Sequence, residues 1–503
     1  MKSWLAAAMP RLLFAGVVLA LTGASPYLGG FMNANERPRL LQGIAWVEDG
    51  SSAIDGPATG HIAPGIDVSR TPAGALVPNK PPGTSLPAAL AYTFVRTTET
   101  PTLERYTQLA RALGGWLPMI LLAAFAWRRH RGPAGTFGLV ALLLATPCLA
   151  YTRLLYGHVL AAACLWGGVG LLHRARSERH VGWALAGGLV AGAAVTVEYL
   201  VAFAAVPIGV WLILDARKRG SWSVVLASFV GACLPIAALM AYHEALFGSP
   251  WLTPYHFVVQ QGFAEIHSRG LLGLTWPTRA SIFEHLLSPW GGLLYWAPLS
   301  VPAMVAMAHA IRRGDDEPTE RVGLGIVLLL LVLNLCLAQT GGWRVGPRYF
   351  VVALPFLLPG LRRLHAWLER PGWSAIIVAL LGWSLFVNFF AAGLFPHLLP
   401  EGNPLLDLLL PLWAEGLRPH SLWGSVGLGL SGLVTLGLFV AVTRPRTRAE
   451  RGWWGAGLLG ACGLIVAALA VPPAPAAEDT FAAVLRVWEP GGVREPKPTM
   501  LRP

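Results

Sequence analysis

An all-α, polytopic transmembrane bundle is the fold the sequence predicts, and three observations predict it. The 503 residues are 54% hydrophobic and only 13% charged, whereas a soluble chain carries roughly 25% charged residues. Mean hydropathy is +0.55, and apolar stretches long enough to cross a bilayer core of ~30 Å recur from end to end. The net charge of +12 is gathered in short runs between those stretches. These are Arg128, Arg129 and Arg131; Arg174, Arg176 and Arg179; Arg217, Lys218 and Arg219; Arg362 and Arg363; and Arg444, Arg446, Arg448 and Arg451.

Short basic loops mark the cytoplasmic side of a membrane protein. The runs are therefore read as orientation signals and not as a nucleic-acid surface, with anionic lipid as a further alternative. Cys148, Cys164, Cys233, Cys336 and Cys462 fall in or beside apolar stretches without CxxC spacing. They read as buried thiols, with neither a zinc site nor a disulfide framework indicated.

The first apolar stretch, 12–31, follows Lys2 and Arg11 and ends near Ala24-Ser25-Pro26. A signal peptide has this form, but an uncleaved helix satisfies the charge alternation that follows. Further spans are expected at 109–127, 134–150, 155–172, 182–197, 199–214, 222–242, 291–311, 322–339, 350–366, 373–395, 422–442 and 453–471. With the N-terminus inside, every basic run lies inside. Segments 32–108, 151–154, 243–290, 340–349 and 396–421, and the tail 472–503, lie outside. The expectation is a transmembrane domain over 1–471, with about 13 spans and the C-terminus outside, in a bacterial inner membrane.

The outer loop 32–108 far exceeds an ordinary connection. Leu40, Leu41, Ile44, Ala45 and Val47 recur at helical spacing, and Pro87 precedes the apolar run Ala88 to Val95. Two amphipathic helices along the outer membrane surface would explain both patterns. Between them a Gly/Pro-rich stretch carries Asp49, Asp55, His61, Asp67 and Lys80.

Five outer groups can carry chemistry. Glu36, at the membrane boundary, is placed to have its pKa raised and act as a general base, or else to cap the next helix. Lys80, aimed by Pro81-Pro82, can meet a phosphate or sit in a solvated turn. Arg153 and His158, beside Tyr151 and Tyr156, are costly at this depth unless they face a polar cavity, although Arg153 can snorkel. Glu198-Tyr199 places a carboxylate amid an apolar run. Arg344 and Arg348, with Tyr349, form a glycine-rich outer turn suited to a phosphate, the alternative being structural ion pairing. Glu265, His267, Glu284 and His285 lack a spacing such as HExxH, so a divalent metal is compatible but unspecified.

In this order the segments resemble the GT-C superfamily of polyprenyl-phosphate-sugar glycosyltransferases. The likeness is to the bacterial branch related to the protein O-mannosyltransferases and the lipid A aminoarabinose transferase. The matching pieces are Asn35-Glu36 with Arg39, Asn79-Lys80-Pro81-Pro82-Gly83, Tyr156-Gly157-His158, Glu198-Tyr199, Gly248-Ser249-Pro250, Ser288-Pro289-Trp290-Gly291-Gly292-Leu293 and Gly342-Trp343-Arg344-Val345-Gly346-Pro347-Arg348-Tyr349, over about residues 10–365.

The resemblance implies that Glu36 acts as base or organises the acceptor. It implies that Lys80, Arg344, Arg348 and Tyr349 hold the donor phosphate, with Asn35, Arg39, Arg153, His158, Glu198 and Tyr199 lining the substrate site. The partners it implies are a polyprenyl-phosphate-linked sugar, a lipid, glycan or protein acceptor, and membrane lipids. The family often has two acids after the first span, whereas Asn35 stands beside Glu36 here, and the tail after 471 is short. A transporter or flippase would place charge and broken helices at the midplane, yet the spans are nearly free of charge. A ligase or polymerase of lipid-linked saccharides would share the outer loop and arginines but not need the early acid.

Overall fold

The computed structural model describes residues 2–23, 34–271, 273–338, 344–394, 403–411, 424–445 and 447–472, together with 478–479, 482 and 500–501. Parts of the first expected span, of the 340–349 turn (including Gly342 and Trp343), of the 396–421 loop and of the tail lie outside the described residues.

The chain opens with α1 (Lys2–Thr22), α2 (Arg37–Glu48) and α3 (Asp55–Gly60). A short antiparallel hairpin follows, β1 (Val68–Arg70) against β2 (Leu76–Pro78), with Ser69 opposite Val77. Then come α4 (Ser85–Val95), α5 (Leu103–Arg111), a π-helical turn over Ala112–Trp116 and α6 (Leu117–Arg129). The bundle continues through α7 (Pro133–Leu143), α8 (Cys148–Thr152), α9 (His158–Glu178), α10 (Val181–Val197), α11 (Ala205–Arg219) and α12 (Trp222–Phe247).

Five continuous helical segments among the described residues are long and apolar enough to cross a membrane: Leu103–Arg129, Tyr199–Arg219, Trp222–Phe247, Trp373–Ala392 and Arg448–Leu469. Shorter apolar helices run over Ala8–Thr22, Pro133–Leu143, Val181–Val197 and Gly429–Thr443. Apart from the short hairpin, the described residues are almost entirely helical, and the protein is a multi-pass membrane protein.

Several expected spans are not single α-helices, three of them at prolines. Residues 134–150 divide into α7 and α8; 291–311 divides into Leu293–Trp296 and Ser300–Arg313; and 350–366 begins as a 3₁₀ helix, Arg348–Leu357, before becoming α-helical. Pro147, Pro298 and Pro355 stand at these places and remove backbone donors. Trp296, Leu299, Val345 and Phe350 are buried in the main core around the breaks. Irregular backbone is tolerated in a membrane protein when other protein covers it.

Several residues in or beside the basic runs are held by acidic partners. Arg362 bonds to Glu317 and lies 3.3 Å from His130, Arg363 bonds to Glu320 at 2.8 Å, and Arg176 bonds to Asp215 at 2.6 Å. The loops expected on the outer side also associate with one another. Val259 N donates to Val68 O at 3.1 Å, and Leu501 N donates to Pro101 O at 2.8 Å, which brings the end of the chain beside the 32–108 loop.

The paired helices of that loop form, but only α4 keeps an uncovered apolar face, with Leu86, Leu90 and Phe94 one turn apart and exposed. Helix α2 is buried from Pro38 to Ala45, contrary to the expectation that it lies on the membrane surface. Leu40, Ile44, Ala88, Ala91, Tyr92 and Tyr106 form one cluster, which draws α2 beneath α4 and α5. Gly43 permits this approach, since a Cβ there would stand 2.7 Å from the Ala89 backbone nitrogen.

Candidate active site

Burying α2 fixes what its ends can touch. Glu36, at the N-cap of α2, is 1% exposed. The Arg111 guanidinium donates to both its oxygens at 2.8 and 2.7 Å, and Leu155 N donates to Oε1 at 2.8 Å. A carboxylate so shielded, with both oxygens bonded to protein groups, holds three elements together. The general-base role expected of Glu36 does not fit this geometry.

The neighbouring polar residues lead outward to another acid. Arg39, 2% exposed, donates to the Asn35 side chain and to Leu155 O at 3.1 Å. Asn35 Nδ2 in turn donates to Asp67 Oδ2 at 2.9 Å. Asp67 immediately precedes β1 and is half-buried. Asn79 Nδ2 lies 3.5 Å from its other oxygen, Oδ1, which is thus only weakly engaged. Burial pushes the Asp67 carboxyl up, but Lys80, Arg348, the Asn35 amide and Arg39 outweigh it and hold the group below its ordinary value.

Asp67 and Lys80, brought together at the open end of the β1–β2 hairpin, form one electrostatic group with Arg348 from a distant turn. Lys80 Nζ stands 5.0 Å from the centre of the Tyr255 ring. Arg348 Nη2 donates to Tyr349 Oη at 2.8 Å, and its guanidinium lies 5.6 Å from the Tyr156 ring centre. The turn that presents Arg348 has Gly346 at φ +62°, with Pro147 and Trp296 too close for any Cβ.

On the adjoining side, His158 Nδ1 lies 3.1 Å from Glu198 Oε2, both buried. Burial pushes the Glu198 carboxyl up, but His158, Lys80 and Arg39 bring it below its usual value. Tyr349 packs edge-on to His158 at 5.6 Å. Tyr199 Oη lies 2.8 Å from His243 Nε2 and its ring sits edge-on to Tyr255 at 5.6 Å.

Arg153, expected to line the substrate site, and Arg344, expected to hold the donor phosphate, are both engaged by protein groups. Arg153 donates to Leu21 O at 3.1 Å and Ala20 O at 2.7 Å, so it caps the carbonyl end of α1. Arg344 bonds to Glu284 at 2.7 Å and is packed against Gly291. Structural ion pairing, the alternative for this turn, applies to Arg344.

The sequence alone assigns no site role to Asp67, Arg111 or Tyr255. Asp67 looked like its neighbours Asp49 and Asp55. Arg111 did carry a signal, as an arginine just inside the outer end of an apolar span, against the usual charge trend. Among the described residues no group of three or more His, Cys, Asp or Glu side chains is arranged to hold a metal ion.

No family model matches the sequence, and no curated relative does. Among solved structures, the chain is similar to apo ArnT from Cupriavidus metallidurans, with TM-score 0.45 and 15% identity over 91% of this chain and 78% of that one. It is also similar to the apo oligosaccharyltransferase of Archaeoglobus fulgidus, with TM-score 0.42 and 11% identity over 100% of this chain and 62% of that one. Likenesses this distant leave function to be read from the chain's own residues.

Proposed function

We propose that the protein is an integral-membrane glycosyltransferase that moves a sugar from a polyprenyl-phosphate donor to an acceptor hydroxyl on the extracytoplasmic face of a bacterial inner membrane. The observation that carries this reading is the convergence of one carboxylate, Asp67, with two cations, Lys80 of the same loop and Arg348 of a distant turn. The ordered motifs that resemble the GT-C superfamily support it further.

Lys80 and Arg348 hold the donor phosphate, with Tyr349 orienting Arg348. The acceptor oxygen attacks the anomeric carbon as its proton passes to Asp67 Oδ1. The bond from that carbon to the phosphate oxygen breaks, and polyprenyl phosphate leaves with the electron pair. A single displacement of this kind inverts the anomeric centre.

Before the donor arrives, the two cations keep Asp67 ionised and weakly basic. A bound phosphate neutralises them and raises the basicity of Asp67 when the acceptor is present. Charge growing on the departing phosphate strengthens both contacts, so the cations favour the transition state over the bound donor. Glu36 and Arg111, with Asn35 and Arg39, are positioning residues beneath Asp67.

The test is transfer from a panel of labelled polyprenyl-phosphate sugars by the full chain in nanodiscs, with Asp67→Asn and Lys80→Gln alongside. Failure of the wild type to use any such donor sinks the reading. Transfer undiminished in Asp67→Asn removes Asp67 from the chemistry.

A further inference from the structure

A groove of about 920 Å³ runs between α6 and α9. Its wall on α6 is Leu117, Leu121 and Phe125, one turn apart and 47%, 60% and 50% exposed, so protein leaves this row uncovered. On α9 the groove is lined by Gly167 and Gly170, where an added Cβ would meet nothing within 4 Å. Gly168 between them instead faces α10, with a Cβ position 2.8 Å from Ala191.

One end of the groove is basic, lined by Arg128, Arg129, His173 and Arg174, with Glu178 the only acid. Arg174 is held by Glu178 at 2.7 Å. Arg128 and Arg129 are exposed, and among the described residues neither has a carboxylate partner. His173 Nδ1 is buried without a hydrogen-bond partner in the described structure. From Leu117 to Arg128 an α-helix rises about 16 Å, close to half of a ~30 Å hydrocarbon core. The groove is thus one leaflet long, apolar along its length and cationic where that leaflet's headgroups begin.

We infer that this groove binds an anionic glycerophospholipid from the leaflet on the basic side. One acyl chain lies along Leu117, Leu121 and Phe125 over the two glycines. The headgroup phosphate meets Arg128 and Arg129, the two uncommitted guanidinium groups, while His173 offers a further polar contact. Each arginine so placed favours an anionic over a neutral headgroup by about fivefold. The site is separate from the proposed transferase centre and stands whether or not that centre is assigned correctly.

Native mass spectrometry of the full chain, titrated with phosphatidylglycerol or phosphatidylcholine of identical chains, tests the inference. Wild type is expected to bind phosphatidylglycerol roughly 25-fold more tightly. Arg128→Gln/Arg129→Gln should bring that affinity down to the phosphatidylcholine level. Gly167→Leu, which fills open space on α9, should weaken both lipids. Soluble glycerophosphoglycerol should not compete, because it lacks the chain. Equal binding of the two lipids by wild type overturns the proposal. So does undiminished phosphatidylglycerol binding in the arginine pair variant, or in Gly167→Leu should the pair variant fail to fold.

Discussion

Arg111 grips Glu36 through two parallel hydrogen bonds, Nε to Oε1 at 2.8 Å and Nη2 to Oε2 at 2.7 Å, with both side chains almost wholly out of solvent. The pair joins the start of α2 to the end of α5, and Leu155 N ties the same carboxylate to the turn before α9. Beneath the outer surface it acts as a fastening between helices.

Breaking that pair should destabilise the protein. Glu36→Gln leaves the Arg111 charge buried without its partner, which costs about 3–5 kcal/mol. Glu36→Gln/Arg111→Met should recover most of that loss, and thermal unfolding of both variants in one detergent checks it. A Glu36→Gln protein with wild-type stability and abolished transfer would restore Glu36 to a chemical role.

Asp67→Asn should reduce turnover by about 10²- to 10⁴-fold, the range of a lost general base, with little change in stability. Lys80→Gln should mainly raise the donor KM. The Lys80 charge lowers the Asp67 pKa, so removing it should move the acid limb of the pH–rate profile to higher pH. A profile that stays in place in Lys80→Gln would separate the two residues.

Gly43→Ala should loosen the outer pair of helices. Its new methyl would stand 2.7–2.8 Å from backbone and side-chain atoms of Ala88 and Ala89, an overpacking that costs about 1–3 kcal/mol. The expected result is a lower unfolding temperature together with weaker donor binding, since α2 supports Asn35 and Arg39. Equal melting of Gly43→Ala and wild type would contradict the close approach.

His285, in the outer helix Arg279–Leu286, gives a pH signature of stability. Burial, reinforced by Arg344, pushes its imidazole down to about 4. The unfolded chain takes up this proton near pH 6.5 and the folded chain only near pH 4, so stability falls as pH drops between those values. A shift of this size is worth about 3 kcal/mol. His285→Gln should flatten that part of the stability curve, as urea or thermal unfolding from pH 7 to 4 would register.

Much of the architecture was legible in the chain itself. Apolar length and the placement of arginines announce membrane helices joined by basic loops on one face, because the bilayer penalises charge and unpaired backbone wherever they fall. The paired helices around Leu40 and Ala88 were legible from periodicity. The interruptions at Pro147, Pro298 and Pro355 were not, since a composition that reads as one apolar span also accommodates a break covered by neighbouring helices.

The site divides in the same way. The sequence by itself determined a membrane-embedded chain whose long connecting segments carry a carboxylate, a Pro-fixed lysine and a glycine-turned arginine. Only the tertiary structure decided which acid stands beside which cation. It locked Glu36 to Arg111, 75 residues away, set Arg153 on the carbonyls of α1, and brought Asp67 to Lys80 and Arg348. The physical reason is that a buried charge needs a partner, and the helix packing that supplies the partner leaves no mark at either position alone.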